Sequence, residues 1–84
     1  MQMQTTARLR EFVTTNFYIP PDLRLDEHTS FLDRGILDST GVIELVVFIE
    51  NHFGIAVDDD ELVPANFDSL AALTSFIERK RSTT

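Results

Sequence analysis

The chain has 84 residues, 43% of them hydrophobic, with seven basic and fourteen acidic side chains for a formal net charge of −7. That length allows one domain with a modest core, and that apolar content excludes a disordered chain. With no cysteine there is no disulfide framework or thiolate metal site, and the acidic middle, where Arg24 and Arg34 are the sole basic residues between Glu11 and Glu78, disfavours nucleic-acid binding.

The first predicted element is a helix over about Gln4 to Asn16. Leu9, Phe12, Val13 and Phe17 recur at helical spacing. Tyr18-Ile19-Pro20-Pro21 stops it, because the residue before a proline avoids helical geometry. From Pro20 to Asp38 no long period is visible. Leu23, Leu25, Phe31, Leu32, Ile36 and Leu37 punctuate a polar segment, which reads as a long loop pinned across the helices. A short helical turn is expected near Ser30 to Asp33, and a tight turn at Gly35.

The clearest helix starts at Asp38 or Ser39, ends near His52 and is stopped by Gly54. Val42, Leu45, Val46, Ile49 and Phe53 form its buried stripe, while Glu44 and Glu50 face elsewhere. Ile43 and Val47 fall beside the stripe. They read either as a contact surface flanked by acids or as ordinary boundary core.

Ile55-Ala56-Val57 reads as a short extended stretch, and Asp58 to Leu62 as a brief acidic helical turn ended by Pro64. The last helix is expected from Phe67 or Asp68 to Arg81, with Asn66 as N-cap and Leu70, Leu73, Phe76 and Ile77 inward. Arg79, Lys80 and Arg81 suit its negative C-terminal end. The expected fold is all-α: a small antiparallel four-helix bundle, three main helices plus one short helix, with a long first loop. It forms a single domain, 1–84, with its core at about 5–81.

No secretory signal is visible, and the longest apolar run, Leu45 to Ile49, is far too short to cross a bilayer. With the absent cysteines this fits a cytoplasmic protein that does not engage membranes. The acidic surface favours encounter with basic protein patches, though the charge also serves plain solubility.

Ser39 is the residue of most chemical interest. It stands where a loop enters a helix, so unpaired N–H groups and the macrodipole would favour an anion such as a phosphodiester on its oxygen. Asp38 would cap the helix and support attachment by a transferase. Asp38-Ser39 also reads as a simple capping pair. Neither His28 nor His52 suits a Ser-His-Asp triad: no nucleophile elbow is present, and His52 lies about 20 Å along the helix from Ser39. The Asp58 to Glu61 run lacks the spacing and central glycine of a calcium loop, so no metal site is expected.

Taken in order, Phe31-Leu32-Asp33-Arg34-Gly35-Ile36-Leu37-Asp38-Ser39, then Val42, Glu44-Leu45-Val46, Ile49-Glu50 and Phe53-Gly54-Ile55 resemble the acyl carrier protein family, with its peptidyl and aminoacyl carriers. The resemblance covers roughly Leu9 to Ile77. It implies a non-catalytic carrier with 4′-phosphopantetheine attached to Ser39, whose thiol holds an acyl or aminoacyl group as a thioester for fatty-acid-like or secondary-metabolite biosynthesis. It implies partner recognition by Thr40, Ile43, Glu44, Val47 and Glu50. The partners implied are a phosphopantetheinyl transferase, an acyl-activating ligase, and acyltransferase or synthase enzymes with basic patches, meeting a monomer. The length suggests a discrete carrier. The alternative is a non-covalent helical adaptor of the same fold, with Ser39 as a cap.

Two departures stand out. Thr40 replaces a frequent leucine, and Gly41 replaces an often acidic position, which weakens the helix by roughly 1 kcal/mol. A second Asp-Ser, Asp68-Ser69-Leu70, lacks the long preceding loop and matches an unmodified capping segment of the family.

Overall fold

The computed structural model describes residues 2–82, with side chains from residue 4 onward. Four α-helices follow in order: α1 (Gln2–Asn16), α2 (Ser39–Phe53), α3 (Pro64–Phe67) and α4 (Leu70–Ser82). A 3-10 turn, Asp59–Glu61, lies between α2 and α3. The two ends of the 1–84 span expected as one domain lie outside the described residues.

The helices bury the faces that their spacing selects. Leu9 and Val13 of α1, Leu45 and Ile49 of α2, and Leu70, Leu73 and Ile77 of α4 are all 0% exposed. Each such side chain contributes about 1.5–3 kcal/mol by leaving water. Thr5 and Thr74 are also buried, and both are satisfied. Thr5 donates to Glu78 at 2.8 Å, and the Thr6 and Thr74 hydroxyls meet at 2.8 Å. These contacts clamp α1 against α4, antiparallel: the start of α1 meets the end of α4.

The segment between α1 and α2 has no regular element beyond turns, yet it is firmly seated. Phe31 is fully buried, and Ile36 and Leu37 nearly so. Its backbone is bonded to distant chain: Phe31 N–H donates to Asp68 O at 2.8 Å, and Ala71 N–H donates to Glu27 O at 2.8 Å. The expected turn forms over 31–35, where Gly35 takes φ 69°. A side chain there would be strained, so glycine is what lets Ile36 N–H return to Phe31 O at 2.8 Å.

Gly54 ends α2 with φ 70°, its N–H donating to Glu50 O at 3.1 Å. Three local expectations are corrected beyond it. Pro64 does not close the acidic turn; it opens α3, where a missing N–H costs nothing. Asn66 does not cap the last helix, because it lies inside α3, where its amide donates to Glu61 O at 2.8 Å. The last helix begins later than expected, at Leu70, and the Ser69 hydroxyl accepts the Ala72 N–H at 3.1 Å.

Candidate functional site

Asp38 is extended, at φ −119° and ψ −172°, and its Oδ1 accepts the Gly41 N–H at 2.8 Å. Its carbonyl accepts the Val42 N–H at 2.9 Å. Asp38 is therefore the N-cap, and Ser39 is the first helical residue. Ser39 is exposed, as are Asp38 and Thr40. Among the described residues none hydrogen-bonds the Ser39 hydroxyl. No acidic side chain lies in the first turn of α2, and the Asp38 carboxylate caps its positive end. The N–H groups of Ser39 and Thr40 precede the first intrahelical bond and remain available to an anion.

Gly41 has a packing reason that composition did not disclose. A Cβ there would stand 3.1 Å from both Phe17 Cε1 and Leu37 Cδ2, and 3.3 Å from Asp38 Oδ1. The missing side chain lets Phe17 and the end of the long loop close over the first turn of α2. Ser39 is thereby left at the surface on a firmly backed helix end.

Ser69 has a different environment. It is half-buried and its hydroxyl is engaged with the Ala72 N–H. Asp68 beside it accepts from the Ser30 hydroxyl at 2.5 Å and from the Leu32 N–H at 2.8 Å. This second Asp-Ser joins the long loop to the start of α4.

An apolar cleft of about 160 Å³ lies between the chain on either side of Ser39 and the segment around α3. Leu37 and Val42, on either side of Ser39 in sequence, line it with Leu32, Leu62, Val63 and Phe67. Sequence reading did not assemble it, since half of its wall comes from the segment around α3.

On the outer side of α2, Ile43 is 64% exposed and Val47 is 50% exposed, so neither is boundary core. Glu44 is exposed beside them. Glu50 behaves differently: it is half-buried and its Oε2 accepts the Val57 N–H at 2.9 Å. Its carboxylate thus holds the chain after the Gly54 reversal.

His28 and His52 are both exposed. The His52 ring stacks on Phe48 at 5.1 Å, and the His28 N–H donates to Asp26 at 2.8 Å. Neither is bonded to Ser39. The acidic turn is tied to α4: Lys80 Nζ reaches the two Glu61 oxygens at 2.9 and 3.1 Å, and the Asp58 N–H donates to Glu61 at 2.9 Å. The Asp58 amide first, then Lys80, hold the Glu61 carboxyl below its ordinary 4.5. The same hydrogen bond raises Lys80 above its ordinary 10.5. Among the described residues no cluster of three or more histidine, aspartate or glutamate side chains is placed to hold a metal ion. No described helix is long and apolar enough to cross a membrane.

Residues 7–77 match the family described as "Phosphopantetheine attachment site". An acyl carrier protein of Zymomonas mobilis is 36% identical over 58 residues, covering 69% of this chain and 73% of its own length. A protein of a Serratia species named as the probable acyl carrier protein PigG is 24% identical over 76 residues, covering 90% of this chain and 87% of its own.

Proposed function

This chain belongs to the acyl carrier family of phosphopantetheine-attachment domains, which are carriers and not catalysts, and on that premise we propose that Ser39 bears the arm. The observation that carries the proposal is the contrast between the two Asp-Ser pairs. Ser39 is exposed, with its hydroxyl unengaged among the described residues, while the Ser69 hydroxyl is half-buried and spent on the Ala72 N–H.

The residues around Ser39 fit such a group. A phosphodiester on Ser39 Oγ would lie beside the open N–H groups of the first turn of α2, where negative charge is favoured. Asp38 keeps that turn formed through its bond to the Gly41 N–H and presents a carboxylate next to the hydroxyl for a transferase to engage. When bound, the arm supplies a thiol that carries the cargo as a thioester. The cleft of Leu32, Leu37, Val42, Leu62, Val63 and Phe67 then offers an apolar cargo shelter from water. Tethering raises the local concentration of the carried group at each partner in turn.

Biosynthetic enzymes are the partners that the family implies. A phosphopantetheinyl transferase, an acyl-activating ligase and acyltransferases or synthases are the specific ones proposed. Thr40, Ile43, Glu44 and Val47 form the exposed side of α2 that they would meet, with Glu50 at its inner margin.

The test is intact-mass measurement after incubation with coenzyme A and a broad-specificity transferase. Wild type is expected to gain the mass of one phosphopantetheine, and Ser39→Ala to gain nothing. A gain that survives Ser39→Ala, or none in wild type, would remove the proposal and favour a non-covalent adaptor.

A further inference from the structure

Most of the seven basic side chains of this acidic chain are matched where they stand. Arg79 donates to Asn66 Oδ1 at 3.1 Å, and Lys80 to Glu61 at 2.9 Å. Arg10 shares its pocket with Glu27, and Arg24 and Arg34 share theirs with Asp22 and Asp33. Arg8 and Arg81 are placed differently. From α1 and from the end of α4 they meet at a pocket of about 270 Å³, which His52 near the end of α2 also lines. Gln4, Thr5 and Phe53 complete the lining, and no carboxylate belongs to it.

Helix ends explain two of these three residues. His52 and Arg81 stand in the last turns of α2 and α4, where the macrodipole favours positive charge. Arg8 has no such reason, because it lies in the first half of α1, whose negative end is at Asn16. Nor do neighbouring acids answer Arg8. Glu11 stands 3.9 Å from it, a long contact between two exposed side chains, and Glu78 accepts the Thr5 hydroxyl. Two guanidinium groups, an imidazole and the Gln4 amide thus supply one concavity with N–H donors.

We propose that this pole of the bundle binds a phosphate-bearing anion through Arg8, Arg81 and His52. The match is chemical: a phosphate ester offers oxygens to several donors at once, and each guanidinium can take two of them in parallel. The site goes beyond the carrier reading and does not depend on it. His52 is about 20 Å of helical rise from Ser39, so an anion held here leaves the attachment turn clear. A soluble phosphate ester and the headgroup of an acidic lipid present this same chemistry.

The probe is inorganic pyrophosphate, titrated into the full chain at constant ionic strength and followed by backbone and arginine side-chain NMR shifts. Saturable shifts are expected at Gln4, Arg8, His52 and Arg81. Arg8→Gln and Arg81→Gln are each expected to weaken binding about fivefold, and His52→Gln about twofold. Arg34→Gln removes the same charge from the long loop and is expected to change binding less than about twofold. All four positions are exposed, so each variant should melt close to wild type. The proposal is overturned if the shifts climb without saturating, or if Arg34→Gln weakens binding as much as Arg8→Gln. It is also overturned if the saturable shifts fall on Ser39 to Gly41, which would place the anion at the start of α2. Flotation with phosphatidic acid vesicles separates the sources. Flotation that Arg8→Gln abolishes assigns the anion to a lipid headgroup, and a saturable pyrophosphate site without flotation assigns it to a soluble phosphate ester. Flotation with no saturable pyrophosphate site overturns the proposal, leaving only diffuse attraction. Ser39→Ala should bind pyrophosphate as wild type does, so this site and the attachment serine succeed or fail separately.

Discussion

Ser30 and Asp68, 38 positions apart, are joined by a hydrogen bond of 2.5 Å from the serine hydroxyl to Asp68 Oδ2. The other carboxylate oxygen of Asp68 takes the Leu32 N–H at 2.8 Å, and its backbone carbonyl takes the Phe31 N–H at 2.8 Å. One residue before α4 therefore holds the loop that leads into the Ser39 turn. Asp68→Ala removes both side-chain acceptors and leaves Ser30 and the Leu32 amide wanting. A loss of about 2 kcal/mol is expected in urea unfolding, with Ser30→Ala losing about half of that. Amide exchange at Leu32 should accelerate in Asp68→Ala before it does in α1.

Ser69→Ala separates a structural serine from a modified one. Loss of the hydroxyl at the start of α4 is expected to cost about 1 kcal/mol. Loading by the transferase should proceed to the same intact mass as wild type. Ser39→Ala is expected to do the reverse: no loading, and a melting temperature close to wild type, because its hydroxyl supports no other group among the described residues.

Asp38 has two roles that its substitutions divide. Asp38→Ala should cost about 1 kcal/mol by freeing the Gly41 N–H. Asp38→Asn keeps a good cap and loses the charge. If the carboxylate supports attachment, Asp38→Asn will load several-fold more slowly than wild type at near-native stability. Equal loading rates for Asp38→Asn and wild type would leave Asp38 a cap alone.

Gly41→Ala sets helix propensity against packing. Alanine favours a helix over glycine by about 1 kcal/mol. Here its Cβ would press on Phe17 and Leu37 at 3.1 Å, and those side chains close the loop over the helix end. Thermal melting is therefore expected at or below the wild-type temperature. A clear rise would mean that Phe17 and Leu37 shift freely.

The Glu61–Lys80 pair gives a signed pH dependence. Glu61 has its carboxyl lowered below 4.5, so its contribution is complete above 4.5 and is lost as pH falls through the lower folded value. Lys80 is raised above 10.5, so its share is complete below 10.5 and is lost as pH rises through the higher folded value. Glu61→Gln should melt lower than wild type near neutrality, and the gap should narrow as pH falls below 4.5. A gap of constant size through that range would contradict the assignment.

The extents of α1 and α2 were legible because their signals are local. Apolar spacing marked Leu9, Val13, Leu45 and Ile49, all of which are fully buried. Asp38 and Gly54 marked the ends of α2, where a side chain or a positive φ acts within a few residues. The α3 region was misread although its signals were also local. Pro64 suits a first helical position as well as a stop, and Ser69 stands directly before Leu70 as a cap. A four-residue helix has too little periodicity to choose between those readings.

By its order of residues alone, the chain settled that a serine would sit at the mouth of α2 behind an aspartate cap, since capping needs nothing farther than the next turn. It settled the carrier family as well, through the ordered run from Phe31 to Ile55. Which serine stays open, which glutamates face outward and where the apolar cleft lies were decided by tertiary structure. Those outcomes depend on Asp68 meeting Ser30 and Glu50 meeting Val57, and each contact forms only after the chain has turned back on itself.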